Sequence, residues 1–191
     1  MGFCIGLVIT KTVRKLLKRV DRRVTNKVFR KFQVLSGALM SFMHGAQDGQ
    51  KFMGILLLGV FIYSGMPITS ISNPPLWIIL LCSLTMAFGV SIGGYKIIKT
   101  VGMKMVKMEP YEGTCADLSG IICLLFAILY GLPVSTTHTK TTAIMGVGAS
   151  KRLSNVNWIV VKDMLLSWVL VFPGCGLLSY IFTKVLMLLF V

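Results

Sequence analysis

One carboxylate stands out by its surroundings. Asp48 lies in SFMHGAQDGQK (41–51), inside a long apolar stretch. An ionisable group set among apolar residues is costly to keep and marks a pathway when the solvent is lipid. Gly45 and Gly49 flank it four residues apart. Glycines there permit an unwound backbone, whose freed carbonyls would coordinate a cation beside the carboxylate. Gln47 adds an amide, and His44 and Gln50 stand near enough in sequence to support the group.

A second polar segment suits the opposite charge. In GLPVSTTH (131–138) the chain breaks at Gly131 and Pro133 and restarts as a helix. Backbone N–H groups without intrahelical partners then converge with the hydroxyls of Ser135, Thr136 and Thr137 at a positive dipole end, which is an anion site. An anion beside a bare Asp48 in a low dielectric would be repelled by several kcal/mol. A proton or Na⁺ on the carboxylate removes that repulsion, so a site of this kind takes anion and cation together. Plainer readings exist for every residue. Asp48 would be neutralised by Lys51, Ser135 to Thr137 would cap a helix, and His44 and His138 would be hydrogen-bonded framework. A hydrolase built on Ser135, His138 and Asp48 is a competing class, but the sequence holds no nucleophile elbow and no oxyanion hole.

The elements that must position these residues follow from hydropathy. A span needs roughly 20 apolar residues. Residues 34–64 form a long apolar stretch interrupted at 44–51, 65–75 a turn-rich loop without charge, and 76–95 a clean span followed by Lys96, Lys99, Lys104 and Lys107. EPYEGTCAD (109–117) reads as a loop with three of the six acids. Residues 118–131 and 139–149 are short halves on either side of the Gly-Pro break, and together they predict a re-entrant helical hairpin over about 118–149. Residues 158–191 make the last span, with Pro173 inside it. Gly89 and Gly93 have the small-residue spacing of closely packed membrane helices.

Charge sets the orientation. Of 20 Lys and Arg, ten fall between Lys11 and Lys31, with Asp21 as the acid among them. Basic segments at 11–33, 99–116 and 150–157 are expected on the cytoplasmic side, and 65–75 and the C-terminus outside. The net charge of +14 raises nucleic acid as a partner, but no stacking pattern accompanies the basic run, which abuts apolar spans. A mean hydropathy of +0.81 with 14% charged residues points to lipid as the solvent. The five cysteines lack paired spacing and read as small apolar residues, with no metal site. Residues 1–10 are too short to span and read as the stub of an upstream helix, giving a 1–33 segment ahead of a 34–191 membrane domain.

HGAQDGQKFMG (44–54) resembles the repeated His-Gly-Ala-Asn-Asp signature of the inorganic phosphate transporter (PiT) family, and GLPVSTTHTKTTAIMGVGA (131–149) is similar to its Gly-x-Pro-Val-Ser-Thr-Thr-His block. The likeness runs from about residue 34 to 185. It implies an all-α integral membrane protein, one half of an inverted-repeat transporter with a broken helix and a re-entrant hairpin, multi-pass in the plasma membrane. It further implies phosphate carried with Na⁺ or H⁺ and no enzymatic activity. By this likeness Ser135, Thr136 and Thr137 would contact the anion, and Asp48, Gln47 and Gly45 would hold the coupling ion with support from His44, Gln50 and His138. Gln47 departs from the family's Asn by one methylene. Each motif occurs once here, so a separately encoded N-terminal repeat is the expected partner. A sulfate or other oxyanion permease, or a truncated non-transporting chain, is the alternative.

Overall fold

The computed structural model describes residues 1–65 and 74–190. Most of the expected outer loop, 66–73, lies outside the described residues. Among the described residues six helices follow in order: α1 (Gly2–Leu17), α2 (Arg22–Ser64), α3 (Leu76–Ile98), α4 (Pro110–Leu129), α5 (Thr136–Lys151) and α6 (Trp158–Phe190). The wider helical stretch Lys99–Met105 extends α3, and a short turn, Leu153–Asn155, follows α5. Among the described residues the extended pairing is a single antiparallel bridge, Val106 with Val156. Among the described residues three helical stretches are long and apolar enough to cross a membrane: Leu76–Met105, Pro110–Leu129 and Trp158–Leu188.

The chain divides into two compact units, Met1–Val156 and Asn157–Val191. The second consists of α6, 33 residues carrying Pro173 in their interior. The first holds the two polar segments.

In that first unit α1 packs closely against α5. Gly2, Gly6 and Thr10 are buried along it, and a methyl group on Gly6 would come within 2.6 Å of the Ala143 carbonyl oxygen on α5. From the other side, a methyl on Gly146 would overlap the Phe3 carbonyl. Small residues on both helices let the two backbones approach closely. Among the described residues nothing lies within 4 Å of a methyl added at Gly89 or Gly93, where the sequence predicted such a contact. The boundary expected after residue 33 falls inside α2, which Asp21 starts by accepting the Arg23 N–H at 2.9 Å.

Two further expectations fail on backbone grounds. No break occurs at Gly45–Gly49: α2 runs unbroken for 43 residues, a length of about 65 Å. Unwinding in a lipid-like interior would strand backbone groups at several kcal/mol each, whereas a helical glycine costs only about 1 kcal/mol relative to alanine. The helix wins.

Residues 109–117 are likewise helix and not loop. Glu109 and Glu112 form a reciprocal capping box with Pro110 at the first position, satisfying amides that would otherwise be orphaned. The first arm of the hairpin is therefore 20 residues long, about 30 Å, and reaches span length. A small core joins it to α2 through Met40, Met43 and Leu124, with Ile121 and Ile128 packed against them.

At one end of this unit the three basic segments meet. Arg14 of α1 donates to the Ser150 carbonyl and hydroxyl at 3.1 and 2.8 Å, Lys151 pairs with Glu109 and Glu112, and Val106 bridges Val156.

Candidate functional site

The opposite end of the hairpin carries the anion motif. α4 stops because Gly131 adopts φ +64°, a conformation open to glycine at little cost. Leu132 N–H then bonds the Ala127 carbonyl at 2.8 Å and Gly131 N–H the Ile128 carbonyl at 3.1 Å, the paired bonds of a Schellman ending. Pro133 contributes no N–H, and Val134 N–H turns back to the Leu132 carbonyl at 2.9 Å. Ser135 opens α5 as its N-cap, its hydroxyl accepting the His138 N–H at 3.4 Å.

α2 grips this non-helical connection with one face. Helical spacing puts His44, Gln47, Asp48 and Lys51 on the same side, and three of them reach the connection or the start of α5. Gln47, buried, donates to the Leu132 carbonyl at 2.9 Å. Lys51 donates to the Val134 carbonyl at 2.5 Å. Asp48 accepts from the Thr136 hydroxyl at 2.8 Å. The Leu132 and Val134 carbonyls of this irregular backbone thus obtain side-chain partners from α2, as non-helical backbone at membrane depth requires. Lys51 also sits 2.9 Å from Asp48 Oδ1, and His44 Nε2 lies 3.4 Å from Oδ2.

Not every expected residue arrives at this point. Gly45 and Gln50 are exposed, and an added methyl on Gly45 meets nothing within 4 Å. Because α2 stays helical, the Gly45 carbonyl is not freed for a cation. Of the hydroxyl series, Thr136 is buried while Ser135 and Thr137 are exposed at the mouth of α5. His138 is also exposed. The hydroxyl of Ser135 receives a backbone amide, and the Asp48 carboxylate is held by His44, Lys51 and Thr136. That arrangement is a caged carboxylate beside a helix N-terminus.

A residue missed by sequence reasoning completes the arrangement. Asp117 of α4 is buried, accepts the Ser36 hydroxyl of α2 at 2.7 Å, and is ion-paired to Lys140 of α5. One side chain therefore ties three helices together, with Lys140 four residues along α5 from Thr136. Assigning 109–117 to a loop hid it. The acid, proline and second acid at 109, 110 and 112 are a helix-start signal that would have placed Asp117 inside α4.

Comparison with known proteins bears on this geometry. A sequence model of the phosphate transporter family matches residues 1–179. The chain is 40% identical over 190 residues to a Bacillus subtilis (strain 168) protein named a probable low-affinity inorganic phosphate transporter, covering 100% of this chain and 56% of the relative. It is 37% identical over 179 residues to a Rhizobium meliloti (strain 1021) protein of the same name, covering 94% and 53%. A solved structure titled the sodium-dependent phosphate transporter aligns with a TM-score of 0.69 at 27% identity, over 91% of this chain and 50% of that one. The chain spans about half the length of the relatives it matches. By the extent of the family match and the helices that carry its two motifs, the chain belongs to the phosphate transporter family.

Proposed function

We propose that this chain is one half of a cation-coupled phosphate transporter, multi-pass in the plasma membrane, that binds inorganic phosphate at the N-terminus of α5 and its coupling ion at Asp48. The observation that carries the reading is the 2.8 Å hydrogen bond from Thr136 to Asp48, which joins the carboxylate to the first residue of the anion-suited helix. Phosphate would take the first-turn amides of α5 with the hydroxyls of Ser135 and Thr137. Thr136 relays the state of Asp48 to that site. The Lys51 ammonium pairs with the carboxylate where a coupling cation would also bind, and because Lys51 keeps its bond to the Val134 carbonyl, entry of Na⁺ or H⁺ adds a positive charge beside the start of α5. The name of the solved relative supports Na⁺.

Transport requires a second repeat, since alternating access moves one repeat against another about a site near the midplane. The many exposed apolar side chains on α2 and α3, among them Phe52, Ile55, Leu84 and Phe88, agree with burial against lipid or a further protein segment. The test is reconstitution of the purified chain in liposomes, alone and with a candidate N-terminal repeat, followed by phosphate uptake under Na⁺ and H⁺ gradients. Uptake by the pair and none by the chain alone is expected. Robust uptake by the chain alone as a monomer would overturn the half-transporter reading, and gradient-independent uptake by the pair would overturn the coupling.

A further inference from the structure

The end of the first unit away from Asp48 contains an open cavity of about 640 Å³, between the α1–α2 turn, the start of α4 and the end of α5. Its wall carries four cations, Arg14, Lys18, Lys151 and Arg152, against one carboxylate, Glu109. Even with Glu112, which pairs with Lys151 at 2.8 Å, four positive charges face two negative ones. We propose that this cavity binds a phosphate-bearing anion of at least two negative charges, at a site distinct from the transport site.

The cationic groups are partly fixed in place. Both terminal nitrogens of Arg14 are held by Ser150, and Lys151 is held by Glu109 and Glu112 at 3.3 and 2.8 Å. Ligand binding therefore immobilises fewer side chains than it would on a mobile basic tail. Asn26 and Asn155 add amide donors to the wall. The volume falls in the range of roughly 300–1,000 Å³ typical of small-molecule sites, more than a bare phosphate needs. Along α5 the distance from Thr136 to Lys151 is about 22 Å, so one anion cannot serve both ends.

Two sources present this chemistry. One is the headgroup of an anionic phospholipid, which the exposed Leu16, Val20 and Val24 beside the cavity would accompany at a membrane surface; basic clusters next to spans attract such lipids. The other is soluble phosphate or pyrophosphate.

The experiment measures thermal protection and binding for the purified full chain in neutral-lipid nanodiscs at 150 mM salt. Phosphatidic acid is added in one arm, and inorganic phosphate or pyrophosphate in the other. The variants are Lys18→Gln/Arg152→Gln, both exposed positions on the cavity wall, and Lys27→Gln/Arg30→Gln, which removes the same charge from the same end without touching the wall. Protection in at least one arm, weakened roughly tenfold or more by the first pair and little changed by the second, is the expected result. Protection confined to phosphatidic acid assigns a lipid headgroup; protection also by phosphate or pyrophosphate assigns a soluble anion. Equal loss in both variant pairs, or no protection in either arm, would overturn the site. Neither readout depends on transport, so failure of the half-transporter reading leaves this result interpretable.

Discussion

The Thr136 hydroxyl donates to Asp48 Oδ2 at 2.8 Å while Lys51 holds Oδ1 at 2.9 Å. The carboxylate is thus bound on one side by the helix that suits an anion and on the other by a charge from its own helix. A cation that displaces Lys51 changes the electrostatics at the start of α5 without any long-range relay. The Lys51 ammonium, once displaced, still has the Val134 carbonyl to bond, so its release does not strand it.

Ser135 and Thr136 differ in what they touch, and their variants are expected to differ accordingly. Ser135→Ala removes an exposed hydroxyl whose seen partner is a 3.4 Å amide. If it also contacts the anion, apparent phosphate affinity falls by about ten- to a hundredfold, the equivalent of roughly 1.5–3 kcal/mol for a hydrogen bond to a charged group. A cap alone would cost about 1 kcal/mol of stability and leave affinity unchanged. Thr136→Val removes the Asp48 bond, so the cation concentration for half-maximal uptake should shift as well. Uptake titrations of phosphate at fixed cation, and the reverse, separate the two.

Asp117 and Lys140 form an ion pair whose side chains are 11% and 28% exposed. Removing one partner of such a pair leaves an uncompensated charge and costs about 3–5 kcal/mol. Asp117→Asn and Lys140→Met should each lower the melting temperature in detergent, and the double variant should recover part of the loss. A double variant less stable than both singles would show that the two residues do not act as a pair.

Gly146 tests the packing of α1 on α5. A methyl there overlaps the Phe3 carbonyl, and overpacking costs about 1–3 kcal/mol. Gly146→Ala is therefore expected to lower the melting temperature despite the better helix propensity of alanine. Gly89→Ala, with open space around it, should leave stability level or slightly raised. The reverse order would contradict the close contact of α1 with α5.

Much of this was legible in the chain, and the failures share a cause. The Gly-Pro pair located the end of α4 at Gly131–Pro133, and the polar segment at 44–51 lies where α2 meets that connection. What sequence could not weigh was the cost of unwinding. Two glycines around Asp48 suggested freed carbonyls, but the same residues stay helical, and helical spacing then selects Gln47 and Lys51 as the side chains that reach the connection while leaving Gly45 and Gln50 aside. Asp117 was lost to the opposite error. Three acids in nine residues looked like a solvated loop, yet Glu112 and Asp117 are buried because Lys151, Lys140 and Ser36 meet them from other helices. Such partners lie 23 to 81 positions away and leave no local signal. The close glycine contact was placed on Gly89 and Gly93 because their spacing was the recognisable one, whereas Gly2 and Gly6 have the same spacing and an actual neighbour.

The central claim is that Asp48 couples cation binding to phosphate binding at α5. Its most direct measurement is equilibrium binding of phosphate to the reconstituted pair of repeats, at saturating and at minimal Na⁺ and across pH, for the unaltered chain and for Asp48→Asn. Coupling free energies between two ligands typically correspond to about 5- to 150-fold changes in affinity. Phosphate affinity is expected to rise with the coupling cation by a factor in that range in the unaltered chain, and to be independent of it in a well-folded Asp48→Asn variant. An Asp48→Asn variant that retains the full cation dependence of phosphate binding would contradict that claim.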